Sequence, residues 1–321
     1  MSGTTITTTE PLLSVRGLVK RHRTSAGTIH AVDGVDLDLA PGEVLGLVGE
    51  SGCGKSTLGR TLIGLEAADA GSIRFGGIEL VGLGRAALRP HRRHMQMVFQ
   101  DPFGSLNPRS TIGTILEDPL RVHGVGTRAE RRRTVQALLE RVGLRADDVD
   151  RYPHQFSGGQ RQRISIARAI ALKPRLVICD EAVSALDVSV QAQIVNLLRS
   201  LRQEYGLAYL FISHDLAVVG YLSDRIAVMY LGRIVEIGPK TALLERPRHF
   251  YTRALFSALP GASGRRAERQ RLIGEPPSPL DPPAGCRFHP RCPAATERCR
   301  TEVPVMRAFG PGHEAACHVA E

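Results

Sequence analysis

Apolar and polar positions along the chain predict two kinds of strand. Short, wholly apolar runs, which are typical of buried strands, occupy residues 44–48, 176–179 and 207–212. Residues 12–18 and 35–40 alternate apolar and polar side chains, as half-exposed antiparallel strands do. Helical patterns separate the apolar runs. The sequence therefore predicts an α/β fold with a mostly parallel sheet and an added antiparallel β subdomain.

The remaining elements follow from periodicity and from turn residues. Helices are predicted at residues 57–65, 85–94, 111–120, 128–142, 158–171, 190–204 and 241–259. Further strands are predicted at 73–75 and 95–99, and residues 226–230 and 233–237 are predicted to form a hairpin. Residues 101–110 are rich in Pro, Gly and Asn, so we expect a loop there.

A change of composition near residue 260 predicts a domain boundary, and a chain of 321 residues suits about two domains. Residues 260–271 are rich in Gly and Arg, and residues 275–283 are too rich in Pro for a helix, so we expect a semi-rigid linker. We assign residues 1–260 to the first domain, with a helical subdomain at about 101–172. Residues 261–321 form the linker and a small extension with four cysteines.

The composition is that of a globular chain, with 42% apolar and 23% charged residues. No apolar run is long enough to span a membrane, and the polar N-terminus does not resemble a secretory signal. We therefore expect a cytosolic protein, or one attached to a membrane through partners. The net charge of +10 is compatible with a nucleic-acid or anionic-membrane partner, but the arginines are dispersed, which favours a compositional bias.

The phosphate loop, residues 49–57, is the most informative motif. Its residues are Gly49, Glu50, Ser51, Gly52, Cys53, Gly54, Lys55, Ser56 and Thr57, and they fit the pattern G-x-x-x-x-G-K-[ST]. The predicted strand before it and the predicted helix after it give the context that a phosphate-binding site needs. Lys55 is expected to reach the β- and γ-phosphates of a nucleotide, and Ser56 is expected to ligate Mg²⁺. The alternative is a glycine-rich turn that binds nothing.

Two acids follow the apolar run at 176–179. Acids at the carboxyl end of a parallel strand lie where ligands bind in such folds. Asp180 is expected to hold Mg²⁺, and Glu181 is expected to orient or deprotonate the attacking water. The alternative is a solvated pair of acids at the end of a strand.

A second anion site is predicted at the start of the helix that Ser157 caps. Gly158 and Gly159 leave free backbone N–H groups there with no side-chain bulk. One chain has no evident need for two such sites on one nucleotide. Two chains packed head to tail need both sites, because the Ser157 helix of each chain can cover the γ-phosphate bound by the other.

The stretch FSGGQRQR resembles the signature sequence of ATP-binding-cassette (ABC) ATPases, with Phe156 in place of the usual Leu. Other landmarks of that family follow in order: Gln100 resembles the Q-loop glutamine, residues 184–187 resemble the D-loop, and His214 resembles the switch histidine. The resemblance covers about residues 12–260. It implies an ATPase with a P-loop NTPase core. It also implies that Gln100, Glu181 and His214 take part in hydrolysis, that Gln100 lies near Mg²⁺, and that Ser157, Gly158, Gly159, Gln160 and Asp187 contribute to nucleotide sites.

Longer stretches, such as FQDPFGSLNPR and the C-terminal CRFHPRCP, resemble ATPase subunits of bacterial dipeptide and oligopeptide importers, and more closely the second ATPase of each pair. The resemblance implies a subunit at the cytoplasmic face of the inner membrane. Its partners would be a sister ATPase, two membrane permeases and, indirectly, an extracytoplasmic binding protein. An importer for nickel or an antimicrobial peptide is the alternative. A soluble ribosome- or nucleic-acid-associated ABC ATPase is less favoured, because the chain has one cassette and no long coiled-coil insertion.

Two further assignments depend on the resemblance. His22 aligns with the aromatic residue that stacks on adenine in the family.

The four C-terminal cysteines lie in a segment that, in some members, is thought to hold a [4Fe–4S] cluster. Their spacing is wider than a structural zinc site normally shows, and metal-free thiols are the third alternative. These cysteines are Cys286, Cys292, Cys299 and Cys317.

Overall fold

The computed structural model describes residues 10–257 and 274–320. The strands of this part are β1 Leu13–Thr24, β2 Gly27–Leu39, β3 Val44–Val48, β4 Ala70–Phe75, β5 Ile78–Glu79, β6 Met95–Val98, β7 Leu176–Asp180, β8 Ala208–Ile212, β9 Arg225–Tyr230, β10 Arg233–Pro239, β11 Arg307–Gly310 and β12 His313–Ala315. The helices are α1 Lys55–Leu62, α2 Arg85–Arg92, α3 Pro102–Ser105, α4 Ile112–Val122, α5 Arg128–Arg141, α6 Gly158–Ile170, α7 Val188–Tyr205, α8 Leu216–Leu222, α9 Lys240–Glu245, α10 Phe250–Phe256 and α11 Glu297–Thr301.

Two sheets organise the described residues. One is a four-stranded antiparallel sheet in the order β2-β1-β4-β5. The other has eight strands in the order β11-β12-β10-β9-β3-β8-β7-β6, of which β9, β3, β8, β7 and β6 are parallel to one another. The predicted α/β class, with a mostly parallel sheet and an antiparallel β subdomain, is confirmed.

The burial of strand β3 explains why a wholly apolar run correctly predicts a strand of the central sheet. Val44 and Val48 pack into the core on the side of helices α4 to α7, while Leu45 and Leu47 pack toward the antiparallel sheet and α1. All four side chains are fully buried. A strand covered on both faces needs apolar residues at every position, and burying each such side chain contributes about 1.5–3 kcal/mol. The loop that follows β3 therefore starts from a rigid base.

The helical region between β6 and β7 begins its helices with capping residues. The Thr127 hydroxyl accepts the N–H of Glu130, whose carboxylate accepts the N–H of Thr127. Ser157 and Gln160 make the same reciprocal pair at the start of α6. Each pair satisfies N–H groups that the first turn of a helix leaves free. The predicted starts of α5 and α6 are confirmed to the residue.

Several predicted segments differ from the structure. The strands predicted at 12–18 and 35–40 are longer, with β1 reaching Thr24 and β2 starting at Gly27. Residues 101–110, expected to be a loop, contain the single-turn helix α3. The helix expected at 241–259 is two helices, α9 and α10, with a break at residues 246–249. Pro247 has no N–H to donate and disfavours helical geometry in the residue before it, which explains the break. Residues 258 and 259 lie outside the described residues.

The C-terminal extension adds strands to the main sheet. Strand β12 pairs antiparallel with β10, and β11 pairs with β12. Residues 275–283 form neither helix nor strand, as their proline content predicts, whereas the predicted linker at 260–271 lies outside the described residues. Among the residues that are described, no helix is both long and apolar enough to cross a membrane.

Candidate functional site

The phosphate loop connects β3 to α1 in a conformation that requires glycine at two positions. Gly49 has φ 155° and Gly54 has φ 108°. A Cβ atom on Gly54 would lie 1.9 Å from the carbonyl oxygen of Ala31, and one on Gly49 would lie 2.2 Å from that of Met229. The Lys55 side chain is buried under the loop, and its Nζ donates to the carbonyl oxygens of Gly49 at 2.8 Å and Glu50 at 2.9 Å. The two hydrogen bonds from Lys55 therefore hold the phosphate loop in its curved conformation.

Ser56 and Asp180 meet at the carboxyl edge of the sheet, as predicted. The Ser56 hydroxyl donates to Asp180 Oδ1 at 2.7 Å. Asp180 is buried, and this burial raises the pKa of its carboxyl group, against the opposing effects of Ser56 and Arg60. A hydroxyl and a carboxylate oxygen are the ligands that Mg²⁺ prefers, so this pair fits the predicted metal.

Glu181 is the centre of a second cluster. Its Oε2 accepts a hydrogen bond from Gln100 Nε2 at 3.0 Å and lies 3.4 Å from His214 Nδ1. Its backbone has φ 47°, and its N–H donates to the carbonyl oxygen of Ile212. A positive φ at a residue other than glycine is strained, and such strain concentrates at functional sites. The structure thus brings together all three residues predicted to take part in hydrolysis.

The predicted signature residues lie apart from this cluster. In the described part of the chain, the side chains of Ser157 and Gln160 hydrogen-bond only within their own helix turn. Gly158 and Gly159 lie close to Leu186 and Val190, near the N-terminal end of α7. Asp187 caps α7 and is exposed. The start of α6 is therefore placed beside residues 186–190.

The other predicted residues take varied positions. Ser51 and Gly52 are exposed at the tip of the loop, and Cys53 is buried, which raises the pKa of its thiol. Thr57 lies in α1, where its carbonyl oxygen accepts from the hydroxyl of Thr61. His22 lies on β1, with Nε2 3.5 Å from Glu66 and a side chain that is 40% exposed.

Two residues that contact the loop were missed by sequence reasoning. The hydroxyl of Tyr251 accepts the N–H of Glu50 at 2.8 Å. The guanidinium of Arg291 forms two hydrogen bonds, of 2.7 and 3.0 Å, with the Glu50 carboxylate. Tyr251 belongs to no motif. Arg291 lies within the stretch CRFHPRCP, but it is 241 positions from Glu50, so the sequence carries no signal for the contact itself.

The four C-terminal cysteines are free thiols that influence one another electrostatically. Burial, followed by a weaker effect of the other three thiols, raises the pKa of Cys286 to about 11. Within the described residues, however, no group of three or more His, Cys, Asp or Glu side chains is placed to hold a metal ion. The expected [4Fe–4S] cluster finds no support in this arrangement. An absorbance spectrum and metal analysis of anaerobically purified protein separate the cluster, zinc and metal-free alternatives.

Comparison with known proteins decides the family. Residues 32–184 match the model of the ABC transporter family, and residues 235–299 match that of the C-terminal region of oligopeptide/dipeptide transporters. A putative peptide import ATP-binding protein of Brucella ovis is 54% identical over 97% of this chain and 98% of its own length. The chain belongs to the ABC transporter family. Its predicted resemblance to that family is confirmed, and with it the assignment as an ATPase.

Other ABC proteins are similar over most of the chain. The oligopeptide transport ATP-binding protein AppF of Bacillus subtilis is 51% identical over 94% of this chain and 92% of its own. Among solved structures, the ATP-binding cassette MJ0796, described as a dimer in a post-hydrolysis state with ADP and Pi, is 28% identical. It superposes with a TM-score of 0.66 over 71% of this chain and 98% of its own. The ABC ATPase core is thus the part that the solved structure shares.

Proposed function

We propose that this ABC ATPase is the ATP-hydrolysing subunit of a bacterial importer for dipeptides or oligopeptides, bound to membrane permeases at the cytoplasmic face of the inner membrane. It pairs there with a sister ATPase, and an extracytoplasmic binding protein supplies the peptide. The names of the relatives support peptide import, and so does the match of residues 235–299 to the oligopeptide/dipeptide transporter region. No nucleic-acid partner is proposed.

One observation carries the paired arrangement: the chain has two anion-binding features, the phosphate loop and the start of α6. The phosphate loop, Asp180 and Glu181 lie together at one edge of the sheet. The start of α6 lies beside residues 186–190, and its Ser157 and Gln160 side chains hydrogen-bond within their own turn. A second ATPase can supply its own α6 to this loop and receive this chain's α6 in return. The helix ends then act as anion sites for the γ-phosphate of the partner's ATP.

Hydrolysis then depends mainly on positioning and electrostatics. Glu181 orients the attacking water and accepts its proton. Gln100 and His214 position the Glu181 carboxylate, and they also interact with the γ-phosphate. Ser56 and Asp180 would hold Mg²⁺, and Gln100, which hydrogen-bonds the neighbouring Glu181, would be a third ligand. The ion, when bound, neutralises charge on the β- and γ-phosphates.

Three further residues contribute to nucleotide contacts in this proposal. Gln160 keeps Ser157 in place through the capping pair, and exposed Asp187 faces the partner ATPase. His22 stacks on adenine, a contact supported by its 40% exposed ring and by the family alignment. If His22 has this role, its replacement by Ala raises the KM for ATP.

The permease contact is assigned to the groove beside Gln100. The groove encloses about 660 Å³ and lies between the core and the helical region, with Leu65, Met97 and Phe99 in its apolar part and Arg60 and Arg168 at its polar part. A helix segment of a permease that enters this groove would sense the position of Gln100. This contact couples the nucleotide to the membrane, because the groove and the γ-phosphate site share that residue.

Deleting the gene for this chain is expected to abolish uptake of labelled dipeptides and tripeptides by the host cell. Restoring the gene on a plasmid is expected to restore uptake, because the ATPase supplies the energy for transport. Uptake of labelled peptide and of ⁶³Ni²⁺ is measured in parallel. Intact peptide uptake, together with lost nickel uptake, would overturn the peptide assignment and favour the nickel alternative.

Replacing Gly158 by Asp is expected to reduce ATP turnover of the assembled transporter at least about tenfold without unfolding the subunit. A Cβ on Gly158 makes only an ordinary contact, 3.8 Å from Leu186, and an acid at the start of a helix is favourable within one chain. The loss therefore arises where the new carboxylate faces the phosphates bound by the partner. Phosphate release by the purified complex measures it.

Gly84 offers a control, since it too lies at the start of a helix, as the cap of α2, and has nothing within 4 Å of its Cβ position. Gly84→Asp is expected to leave turnover unchanged. Gly159→Ala is unsuitable, because its Cβ would lie 2.6 Å from Val190. Full turnover by the Gly158→Asp complex would refute the shared site.

A further inference from the structure

Glu50 is the only acidic residue of the phosphate loop, and the C-terminal part of the chain holds both its backbone and its side chain. Its N–H donates to the Tyr251 hydroxyl, and its carboxylate pairs with Arg291 through two hydrogen bonds. The Arg291 side chain is 5% exposed, so it is largely shielded from water. A two-point Arg–carboxylate pair fixes orientation as well as charge.

Arg291 is itself held in a rigid setting. Its guanidinium lies 6.0 Å from the ring centre of Tyr230 and 3.4 Å from the hydroxyl of that residue. Phe288, three positions earlier, is buried and packs edge-on against Tyr230 at 5.4 Å and against Tyr251 at 5.5 Å. The aromatic group therefore sets the position from which Arg291 reaches the loop.

A separate ion pair fastens the same segment to the antiparallel sheet. Arg287 contacts Asp33 of β2 at 2.5 Å and donates to the carbonyl oxygen of Leu231. This pair does not involve the side chains of the phosphate loop. Attachment of the segment and its contact with Glu50 can therefore be perturbed independently.

The charge of Glu50 explains why the contact matters. A loop that binds a polyphosphate gains nothing from a carboxylate of its own, because like charges repel. Hydrogen bonding to Glu50 raises the pKa of Arg291, whose guanidinium is in any case charged at physiological pH. With Arg291 in place, the pair is neutral as a unit.

We propose that Arg291 is a positioning residue for ATP binding: it neutralises Glu50 and holds the phosphate loop from the C-terminal extension. The extension is then part of the nucleotide site rather than an appendage. This inference depends on ATP binding by the loop. Loss of ATP binding by the wild-type chain would count against the proposed function, whereas the variants below test Arg291 alone.

Arg291→Met keeps the apolar stem beside Tyr230 and removes the charge. We expect the KM for ATP to rise about tenfold, with kcat changed by less than about threefold, since the uncompensated Glu50 repels the phosphates. Adding Glu50→Gln to Arg291→Met should restore the KM to within about threefold of wild type. Raising the salt concentration should also shrink the defect, because screening weakens charge repulsion.

Two comparisons keep this test decisive. Arg298→Met removes an exposed Arg of α11 that pairs with Glu302, and it should leave the KM unchanged. Glu50→Gln alone gives the KM of the neutral loop with Arg291 present, with which the double variant is compared, because Glu50 belongs to the loop that binds ATP. A wild-type KM in Arg291→Met, or a double variant as weak as Arg291→Met, would overturn the proposal. A merely structural role predicts no rescue by Glu50→Gln.

Discussion

Replacing Glu181 by Gln is expected to lower ATP turnover by at least about a hundredfold while ATP binding persists. General-base assistance is worth about 10²- to 10⁴-fold, and an amide of the same size cannot accept the proton of water. The interactions with Gln100 and His214 end on a carboxylate oxygen that the amide oxygen can replace, so the fold and the bound nucleotide should be retained. Phosphate release and equilibrium binding of a fluorescent ATP analogue measure the two quantities.

Conservative variants define how this result is interpreted. Glu181→Asp keeps the charge but withdraws it by one methylene, so intermediate turnover is expected. Glu297→Gln, at a side chain that is 84% exposed on α11, should behave as wild type. Turnover within about threefold of wild type in Glu181→Gln would exclude Glu181 as the base and leave water activation to another group.

The residues of the Glu181 cluster were predictable because each follows an apolar strand. Asp180 and Glu181 come at and just after the end of β7, and His214 follows β8, two strands that are neighbours in the sheet. Parallel strands bring their carboxyl ends to one edge, so order along the chain already implies proximity. The distances and the positive φ of Glu181 could not be predicted, since they depend on side-chain packing.

Contacts between segments that are distant along the chain could not be predicted. Arg291 lies within the family stretch CRFHPRCP, but that resemblance does not say which distant residue its side chain contacts. Strand β12 has only three residues, too few for an alternating pattern, and its pairing with β10 is decided by the surrounding surface. The sequence therefore predicted which residues meet at the carboxyl edge of the sheet, but not the contacts that hold the phosphate loop.

A buried carboxyl group lies beside the contacts that hold the phosphate loop. The side chain of Glu236 on β10 is completely buried. Its carboxylate accepts the N–H groups of Arg248 and His249 at 2.8 and 2.9 Å, and it hydrogen-bonds His313 Nε2 on β12 at 2.8 Å. One side chain thus connects the central sheet, the segment before α10 and the C-terminal hairpin. Tyr251, which holds the loop, follows two residues after His249.

Replacing Glu236 by Ala is therefore expected to destabilise the chain by about 3–5 kcal/mol, since each buried polar group left without its partner costs about 1–3 kcal/mol. Two backbone N–H groups and the ring of His313 would lose their acceptor in a site that water cannot reach. Urea unfolding followed by circular dichroism measures the change. Glu314→Ala, one residue further along β12 and exposed, should shift stability by less than about 0.5 kcal/mol. Equal midpoints for both variants would show that Glu236 contributes no more than a surface acid, and that the hairpin is held by backbone pairing alone.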